Sequence, residues 1–226
     1  MKTKYFTLKL GIKNGITDGL LIALPPDSKS SIITTINKFA AAPVQISKES
    51  IKKFEPKYIF INSGNANACT GKKGYENAKY IQKLLCERLS CNQNEILLMS
   101  TGIIGKQLPM NKIISSITNV AFTKSTSLKN AATAIMTTDK YPKYQTKSYI
   151  INDKRITFTG ICKGAGMIEP SMATMLAFIQ TDICLNKNDV KKYNQYFSDS
   201  SFNSISVDGD MSTNDTVVFS STNKIP

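Results

Sequence analysis

Histidine is absent from this 226-residue sequence. Its absence excludes serine–histidine–aspartate and cysteine–histidine catalytic arrangements, together with every histidine-ligated metal site. If the protein is an enzyme, its base must be an amine, a carboxylate or a hydroxyl group assisted by another group. The five cysteines form no Cys-x-x-Cys pair. Their odd number is typical of reduced thiols in a cytosolic protein.

Long apolar stretches are also missing. The longest, residues 172–179, is far shorter than the roughly 20 residues that cross a bilayer. The basic N-terminus has no apolar segment after it, so a secretory signal is not expected. The sequence therefore predicts a cytoplasmic protein without a membrane partner.

Positive charge is in excess, since 29 Lys and Arg stand against 16 Asp and Glu, a net charge of +13. Such a balance fits nucleic acid or a membrane surface, and it fits small acidic substrates equally well. The lysines are scattered, and no arginine-rich or aromatic-interleaved stripe occurs. We therefore expect no nucleic-acid partner, and a non-enzymatic basic binding protein stays as an alternative.

The spacing of apolar residues predicts a mixture of helices and strands. Helices are predicted over residues 75–89, 111–121, 127–136 and 187–198, and strands over 58–62, 96–99, 146–151, 155–161, 205–207 and 216–220. Residues 152 and 153 suggest a hairpin turn, although the favoured glycine is missing. The apolar pattern of residues 173–181 fits a helix and a strand equally well. Because strands and helices do not alternate regularly, the sequence predicts an α+β sandwich rather than a doubly wound sheet.

Three loops combine glycine with small hydroxyl residues beside apolar strands. They are residues 62–71, 100–105 and 163–176. Glycine lets backbone N–H groups approach a ligand closely, but each loop alone is more often an ordinary turn. No Gly-x-x-x-x-Gly-Lys-Ser/Thr spacing occurs, so a P-loop is excluded.

Together and in this order, the three loops resemble the ornithine acetyltransferase family, the bifunctional glutamate N-acetyltransferases of arginine biosynthesis. The resemblance extends to Ala-Ala-Pro-Val at 41–44, to Ala-Ile-Met-Thr-Thr-Asp at 134–139 and to the polar segment 207–216. It implies a layered αββα sandwich, as in self-processing threonine-nucleophile acyltransferases, truncated here at its C-terminus. It implies no cofactor and no metal.

The resemblance implies that the chain cuts itself between Ala173 and Thr174. The Thr174 hydroxyl would attack the Ala173 carbonyl and shift the acyl group from nitrogen to oxygen, and water would hydrolyse the ester. The freed α-amine has a reference pKa of about 7.7–8.0 and would replace the missing histidine as base. Residues 1–173 would form an α chain and 174–226 the start of a β chain, associated as a heterotetramer of two α and two β chains. The alternative is a buried strand threonine.

The other site residues also come from the resemblance. Thr101, by its hydroxyl, and Gly102, by its backbone N–H, would stabilise the oxyanion, although a plain turn at the strand end is the alternative. Lys163 would attract the α-carboxylate that N2-acetylornithine and glutamate share, or it would be a solvated surface lysine. Thr138 would contact the substrate. Lys140 stands where the family usually has a threonine that contacts the substrate.

The implied reaction moves an acetyl group from N2-acetylornithine to glutamate through acetyl-Thr174, by a ping-pong mechanism. Some family members also accept acetyl-coenzyme A, and the sequence leaves this donor open. Three alternatives remain: a self-processing aminopeptidase or amidase, an inactive truncated copy, and one half of a split enzyme. Release of free acetate without glutamate would indicate the amidase.

The resemblance also leads to two expectations about the C-terminal region. Family members continue well beyond Asp215, so the strand over 217–219 is expected to lack its later neighbours and to form an unpaired edge. Asp208, Asp210 and Asp215 do not match the spacing of an EF-hand. We expect them in a polar turn near the site rather than in a metal loop.

Overall fold

The computed structural model describes residues 2–166 and 175–226. Within these ranges two β-sheets lie face to face, and most of the helices cover their outer surfaces. The strands are β1 (Lys4–Leu8), β2 (Gly19–Ala23), β3 (Lys29–Thr34), β4 (Tyr58–Asn65), β5 (Ile96–Ile103), β6 (Lys143–Ile151), β7 (Lys154–Lys163), β8 (Leu176–Ile183) and β9 (Thr216–Ile225). The helices are α1 (Ala42–Lys53), α2 (Gly71–Leu89), α3 (Met110–Asn119), α4 (Leu128–Ile135) and α5 (Lys187–Ser200).

The two sheets are both mixed. The first has the order β1-β2-β4-β5, and only the β4–β5 pair is parallel. The second has the order β3-β9-β8-β7-β6, and only the β8–β9 pair is parallel. Parallel neighbours therefore occur once in each sheet, which agrees with an α+β fold and not with a doubly wound one.

The alternation of strand side chains builds the layers. In β4, Ile59 and Ile61 point into a core shared with Phe178 and Val218 of the second sheet, whereas Phe60 points outward against α1, α2 and α3. On the far side of the second sheet, the ring of Phe219 packs edge-to-face against an aromatic ring of α5. Helix α4 contributes alanines to the inner core. The predicted αββα sandwich is confirmed.

Most predicted elements are present with shifted ends. Helix α2 begins at Gly71, four residues before the predicted start, because its first turn is polar and escapes an apolar pattern. Strand β5 runs on to Ile103 through the predicted loop. The ambiguous segment 173–181 contains strand β8 from Leu176 onward, whereas residues 173 and 174 lie outside the described residues. Strands β1 to β3 and helix α1 were not predicted.

Residues 205–207 do not form the predicted strand. They follow a short 3-10 helix, and Ile205 and Val207 are 40% and 59% exposed. The β-branched side chains favour an extended conformation, but no sheet edge is paired with this segment. The prediction was wrong because β-propensity depends on packing against neighbouring strands.

The expectation of an unpaired edge at 217–219 is also wrong. Strand β9 lies between β3 and β8, and Val218 is in register with Ile32 on one side and Phe178 on the other. Strand β3, from the N-terminal region, pairs with the edge of β9 that was expected to be unpaired. The spacing of apolar residues did not predict this pairing. The exposed edge of this sheet is β6 instead.

The predicted hairpin is confirmed as β6 and β7. Asn152 and Asp153 both adopt left-handed backbone conformations, with φ of 49° and 60°. Two such residues form the turn that suits the twist of a hairpin, and asparagine and aspartate tolerate this conformation. Glycine is therefore not required here. Within the residues described, no helix combines the length and apolar character needed to cross a bilayer.

Candidate active site

The parallel strands β4 and β5 end side by side and form the floor of the site. Ser63 is in register with Thr101, and Gly64 with Gly102. Gly102 has a φ of 131°, and a Cβ atom there would lie 2.2 Å from the backbone carbon of Gly64. Only glycine fits this approach. The two glycines therefore bring the strand ends together at the position predicted for the oxyanion donors.

Lys163, the last residue of β7, points at this floor. Its Nζ atom donates a hydrogen bond to the Thr101 Oγ1 atom at 2.9 Å, and the lysine is only 2% exposed. The alternative of a solvated surface lysine is therefore wrong. Burial lowers the pKa of Lys163 to about 8, although the charges of Asp139 and Asp215 oppose the shift. Because the Thr101 oxygen accepts this bond, its own hydrogen is free to donate elsewhere.

Asp139 holds the chain that follows Lys163. The backbone N–H of Gly164 donates to its Oδ1 atom at 2.9 Å, and Lys143 forms an ion pair with the same carboxylate while donating to the Gly164 carbonyl at 2.9 Å. Burial alone would raise the pKa of Asp139, but the bonds from Gly164, Lys143 and the Thr137 backbone outweigh it and lower the pKa. The pair therefore holds both backbone polar groups of Gly164, its N–H and its carbonyl.

The polar segment 212–215 joins the two sheets beside the site. The side-chain amide of Asn214 donates to the carbonyls of Ala66, at 2.6 Å, and Ser100, at 3.0 Å, next to the ends of β4 and β5. The backbone N–H of Thr35 donates to the Asp215 carbonyl at 3.0 Å. This agrees with the polar turn predicted near the site. Among residues 2–166 and 175–226, no group of three His, Cys, Asp or Glu side chains could hold a metal ion.

Asp215 is a completely buried carboxyl group immediately before β9. Its Oδ1 atom accepts a hydrogen bond from the backbone N–H of Met175 at 2.9 Å. Burial raises the pKa of Asp215 to about 8, against the opposing effects of that N–H, of the Ser212 hydroxyl and of the charge on Lys163. Lys163 and Asp215 thus both have pKa values shifted by burial to about 8, and the charge of each acts on the other. Such shifted groups cluster at active sites.

A cavity of about 560 Å³ opens above the floor. It brings together four of the predicted site residues, and its lining includes Thr101, Gly102, Thr138 and Lys163. Lys140 is exposed and is not part of that lining.

The predicted cleavage residues Ala173 and Thr174 lie outside the described residues. The chain is described up to Gly166, which lines the cavity, and again from Met175, which Asp215 binds.

Several lining residues were not predicted as site residues, among them Lys13 and Asn214. Lys13 and Asn214 both face the cavity. Lys13 follows a glycine and an isoleucine outside the motifs that carry the resemblance, so its sequence neighbours gave no indication of a role. Asn214 lies within the segment 207–216 that contributed to the resemblance, but no role was assigned to it. Its bonds to both strand ends are visible only in three dimensions.

Comparison with known proteins identifies the family. The sequence profile of the ArgJ family matches residues 4–225. The chain belongs to the ArgJ family. An ArgJ relative, the arginine biosynthesis bifunctional protein of Caldanaerobacter subterraneus, is 44% identical over 209 residues, which cover 92% of this chain and 52% of that protein. The chain thus spans about half the length of the curated ArgJ relatives that it matches.

Solved ArgJ structures share the architecture. The crystal structure of the bifunctional ArgJ protein of Bacillus halodurans is 31% identical with a TM-score of 0.68, covering 77% of this chain and 91% of that chain. The ornithine acetyltransferase of Mycobacterium tuberculosis, crystallised in complex with ornithine, is 28% identical with a TM-score of 0.66, covering 77% of this chain and 93% of that chain. The resemblance inferred from the sequence motifs is confirmed at the level of family and fold.

Proposed function

We propose that this chain carries the acyl-transfer centre of an ornithine acetyltransferase, which moves an acetyl group from N2-acetylornithine to glutamate through an ester on Thr174. The observation that carries the proposal is the convergence of Thr101, Gly102 and Lys163 on one cavity. The names of the ArgJ relatives place them in arginine biosynthesis, and the tuberculosis enzyme was crystallised with ornithine. Both support this substrate class.

The proposed reaction has two halves. In the first, the Thr174 oxygen bonds to the acetyl carbon of N2-acetylornithine, the carbon–nitrogen bond breaks, and the hydroxyl proton leaves with the α-amine of ornithine. In the second, the α-amine of glutamate attacks the ester, and Thr174 regains its proton. Each tetrahedral intermediate places negative charge on oxygen, for which Thr101 and Gly102 are the proposed donors. Losing one such donor typically costs about 10²–10³ in rate.

The hydrogen bond from Lys163 strengthens this assignment of Thr101. An ammonium group that donates to a hydroxyl oxygen polarises the hydroxyl, so that its hydrogen becomes a better donor. The Lys163 ammonium also places positive charge beside the position where an α-carboxylate or an oxyanion would lie. The buried geometry makes both effects larger than they would be in water.

Self-cleavage between Ala173 and Thr174 completes the proposal. It would give pieces of 173 and 53 residues, with a free α-amine on Thr174 as the base. Association of two copies of each piece in a heterotetramer is part of the same proposal.

The test is the intact mass of the purified chain. We expect two pieces of 173 and 53 residues, and one uncut chain for Thr174→Ala. After incubation with N2-acetylornithine, the shorter piece should gain one acetyl group. Cleavage of the Thr174→Ala chain at the same bond would contradict the nucleophile assignment. Acetate release without glutamate would identify an amidase instead.

We expect the chain alone to be a poor acetyltransferase, because it spans about half the length of its relatives and Lys140 replaces a proposed substrate contact. Self-cleavage needs no separate substrate and is expected to survive.

Acetylglutamate formation should be assayed with the chain alone and with the C-terminal half of a relative added. Full turnover by the chain alone would contradict the expectation, and turnover only after addition would indicate a split enzyme. Absence of turnover in both assays would indicate an inactive copy. Acetyl-coenzyme A can be tested as donor in the same assay.

A further inference from the structure

The backbone before Lys13 is fixed by a buried carboxylate. Asp18 is completely buried, and it accepts hydrogen bonds from the backbone N–H groups of Leu10, Ile12 and Lys13 at 2.5, 2.7 and 2.8 Å. Three such bonds to one carboxylate define the turn. Lys13 therefore starts from a rigid position, unlike a lysine on a mobile surface loop.

The Lys13 side chain crosses the floor of the site. A Cβ atom on Gly64 would lie 2.7 Å from the Lys13 Cγ atom, so the stem of the lysine packs directly on this glycine. The Nζ atom reaches the carbonyl of Met136, to which it donates at 3.0 Å, and the residue lines the cavity. An ammonium group has three hydrogens, and this bond uses one of them.

The cavity therefore has two ammonium groups in its wall. Lys13 lies near enough to Lys163 that its charge lowers the pKa of Lys163. The charge of Asp18 acts on Lys13, and the charges of Asp139 and Asp215 act on Lys163. Each of these carboxylates is shared with other donors: Asp139 also binds Lys143 and the Gly164 backbone, and Asp18 and Asp215 also accept hydrogen bonds from backbone N–H groups. Two like charges facing one cavity repel each other, and an anionic ligand between them would relieve that repulsion.

We propose that Lys13 binds the α-carboxylate that N2-acetylornithine and glutamate share, with Lys163 as the second cation. This inference rests on the proposed function, because it names a contact in the same cavity. A carboxylate accepts up to four hydrogen bonds and can bridge two ammonium groups. Lys13 would then select ligands that carry an anionic group next to the reacting nitrogen, without taking part in proton transfer.

The experiment measures ligand affinity by calorimetry, so that it does not depend on turnover. The ligands are ornithine, its α-carboxamide, which lacks the negative charge, and glutamate. The variants are Lys13→Met, which keeps the stem, and Lys13→Arg, which keeps the charge. Lys9→Met is the matched control, because Lys9 is an exposed lysine of the same segment outside the cavity lining. Melting temperatures show that each variant is folded.

We expect Lys13→Met to lower the affinity for ornithine and for glutamate by about tenfold or more, which is the usual effect of losing a hydrogen bond between charged groups. The affinity for the ornithine α-carboxamide should not change, so the variant should no longer prefer ornithine to its carboxamide. Lys13→Arg should restore most of the affinity, and Lys9→Met should have no effect.

Wild-type affinity in the Lys13→Met chain would overturn the inference while leaving the proposed function intact. Weakening of glutamate alone would also overturn it, because the side-chain carboxylate would then be the group bound. If the wild-type chain binds neither amino acid, alone or with the C-terminal half of a relative added, the proposed substrate class fails and the inference fails with it.

Discussion

Lys163 and Thr101 form a buried hydrogen bond across the two sheets, with the ammonium nitrogen 2.9 Å from the hydroxyl oxygen. Lysine is almost never fully buried without a partner. Thr101 satisfies part of this requirement, and in return its hydroxyl is oriented by the lysine. The contact joins the end of β5 to the end of β7, so it couples the proposed oxyanion donor to the proposed substrate cation.

Thr101→Val tests this coupling. The change keeps the shape of the side chain and removes the acceptor for Lys163, so we expect the free energy of unfolding to fall by about 1–3 kcal/mol. Self-cleavage and acetyl transfer should both slow if the same hydroxyl serves both oxyanions.

Urea unfolding measures the change in stability of the Thr101→Val chain, and timed mass spectra measure the two rates. Thr133→Val, which removes an exposed hydroxyl bonded to its own helix, is the control. Unchanged rates in a folded Thr101→Val chain would exclude Thr101 as a donor.

Gly102→Ala tests the close approach of β4 and β5. A Cβ atom at this position would meet the backbone of Gly64 at 2.2 Å with a φ of 131°, so both overlap and strain are expected. We predict a loss of about 3–5 kcal/mol in unfolding free energy. Gly105→Ala is the matched control, because its φ is also positive but nothing lies within 4 Å of the added atom. It should lose only about 1–2 kcal/mol. Equal losses in denaturant titrations would contradict the packing argument.

Asp215→Asn should change how stability depends on pH. Burial raises the pKa of Asp215 to about 8, whereas an unfolded aspartate has a pKa of about 3.9. The folded state therefore binds the proton more tightly, and the contribution of this group to stability declines as pH rises between those values. Asparagine cannot titrate, so the variant should gain stability relative to the wild-type chain from about pH 5 to pH 7.

Urea unfolding at the two pH values measures the Asp215 effect. Lys163 remains mostly charged over this window, because its pKa is lowered only to about 8. Asp210→Asn, on the exposed part of the same segment, should follow the wild-type curve. A constant difference between Asp215→Asn and the wild-type chain would show that Asp215 keeps an ordinary pKa.

Asp139→Asn should have the opposite pH dependence. The pKa of Asp139 is lowered, so its stabilising effect is complete at neutral pH and is lost as pH falls through the folded-state pKa, below about 3.9. We expect the variant to lose about 1–3 kcal/mol at neutral pH and less in acid. Glu76→Gln is the control, since Glu76 pairs with Lys72 at the same sequence spacing on an exposed helix surface. That pair should contribute less than about 0.5 kcal/mol. Equal losses in the two variants would refute a special role for the Asp139–Lys143 pair.

Sequence reasoning succeeded where local pattern and tertiary environment agree. The strand predicted over 58–62 is buried on both faces, and the helix predicted over 75–89 has one apolar face, so each segment carries its own signal. Residues 205–207 carry a strand signal without a neighbouring strand, and the prediction failed there. The position of β9 between β3 and β8 depends on pairing between residues far apart in the chain, such as Ser30 and Ser220, which are 190 residues apart. No local pattern encodes such a pairing.

The candidate site likewise contains residues that a sequence motif predicts and residues that only the fold reveals. Thr101, Gly102, Thr138 and Lys163 were proposed from motifs, and the fold brings them to one cavity. Lys13 could not be proposed, because an isolated lysine in a lysine-rich chain has no distinguishing pattern. The properties of Asp215 also come from burial and from its contact with Met175, and neither is a property of its sequence neighbours.

The order of the second sheet has a consequence for a chain cut after Ala173. Strands β8 and β9 belong to the shorter piece, and they lie between β3 and β7, which belong to the longer one. The two pieces would therefore share one continuous sheet and one core, and neither could leave without exposing the other's interior. Such a nicked protein unfolds by dissociating into more chains than the uncut form does, so its melting temperature should rise more steeply with protein concentration than that of the uncut Thr174→Ala chain.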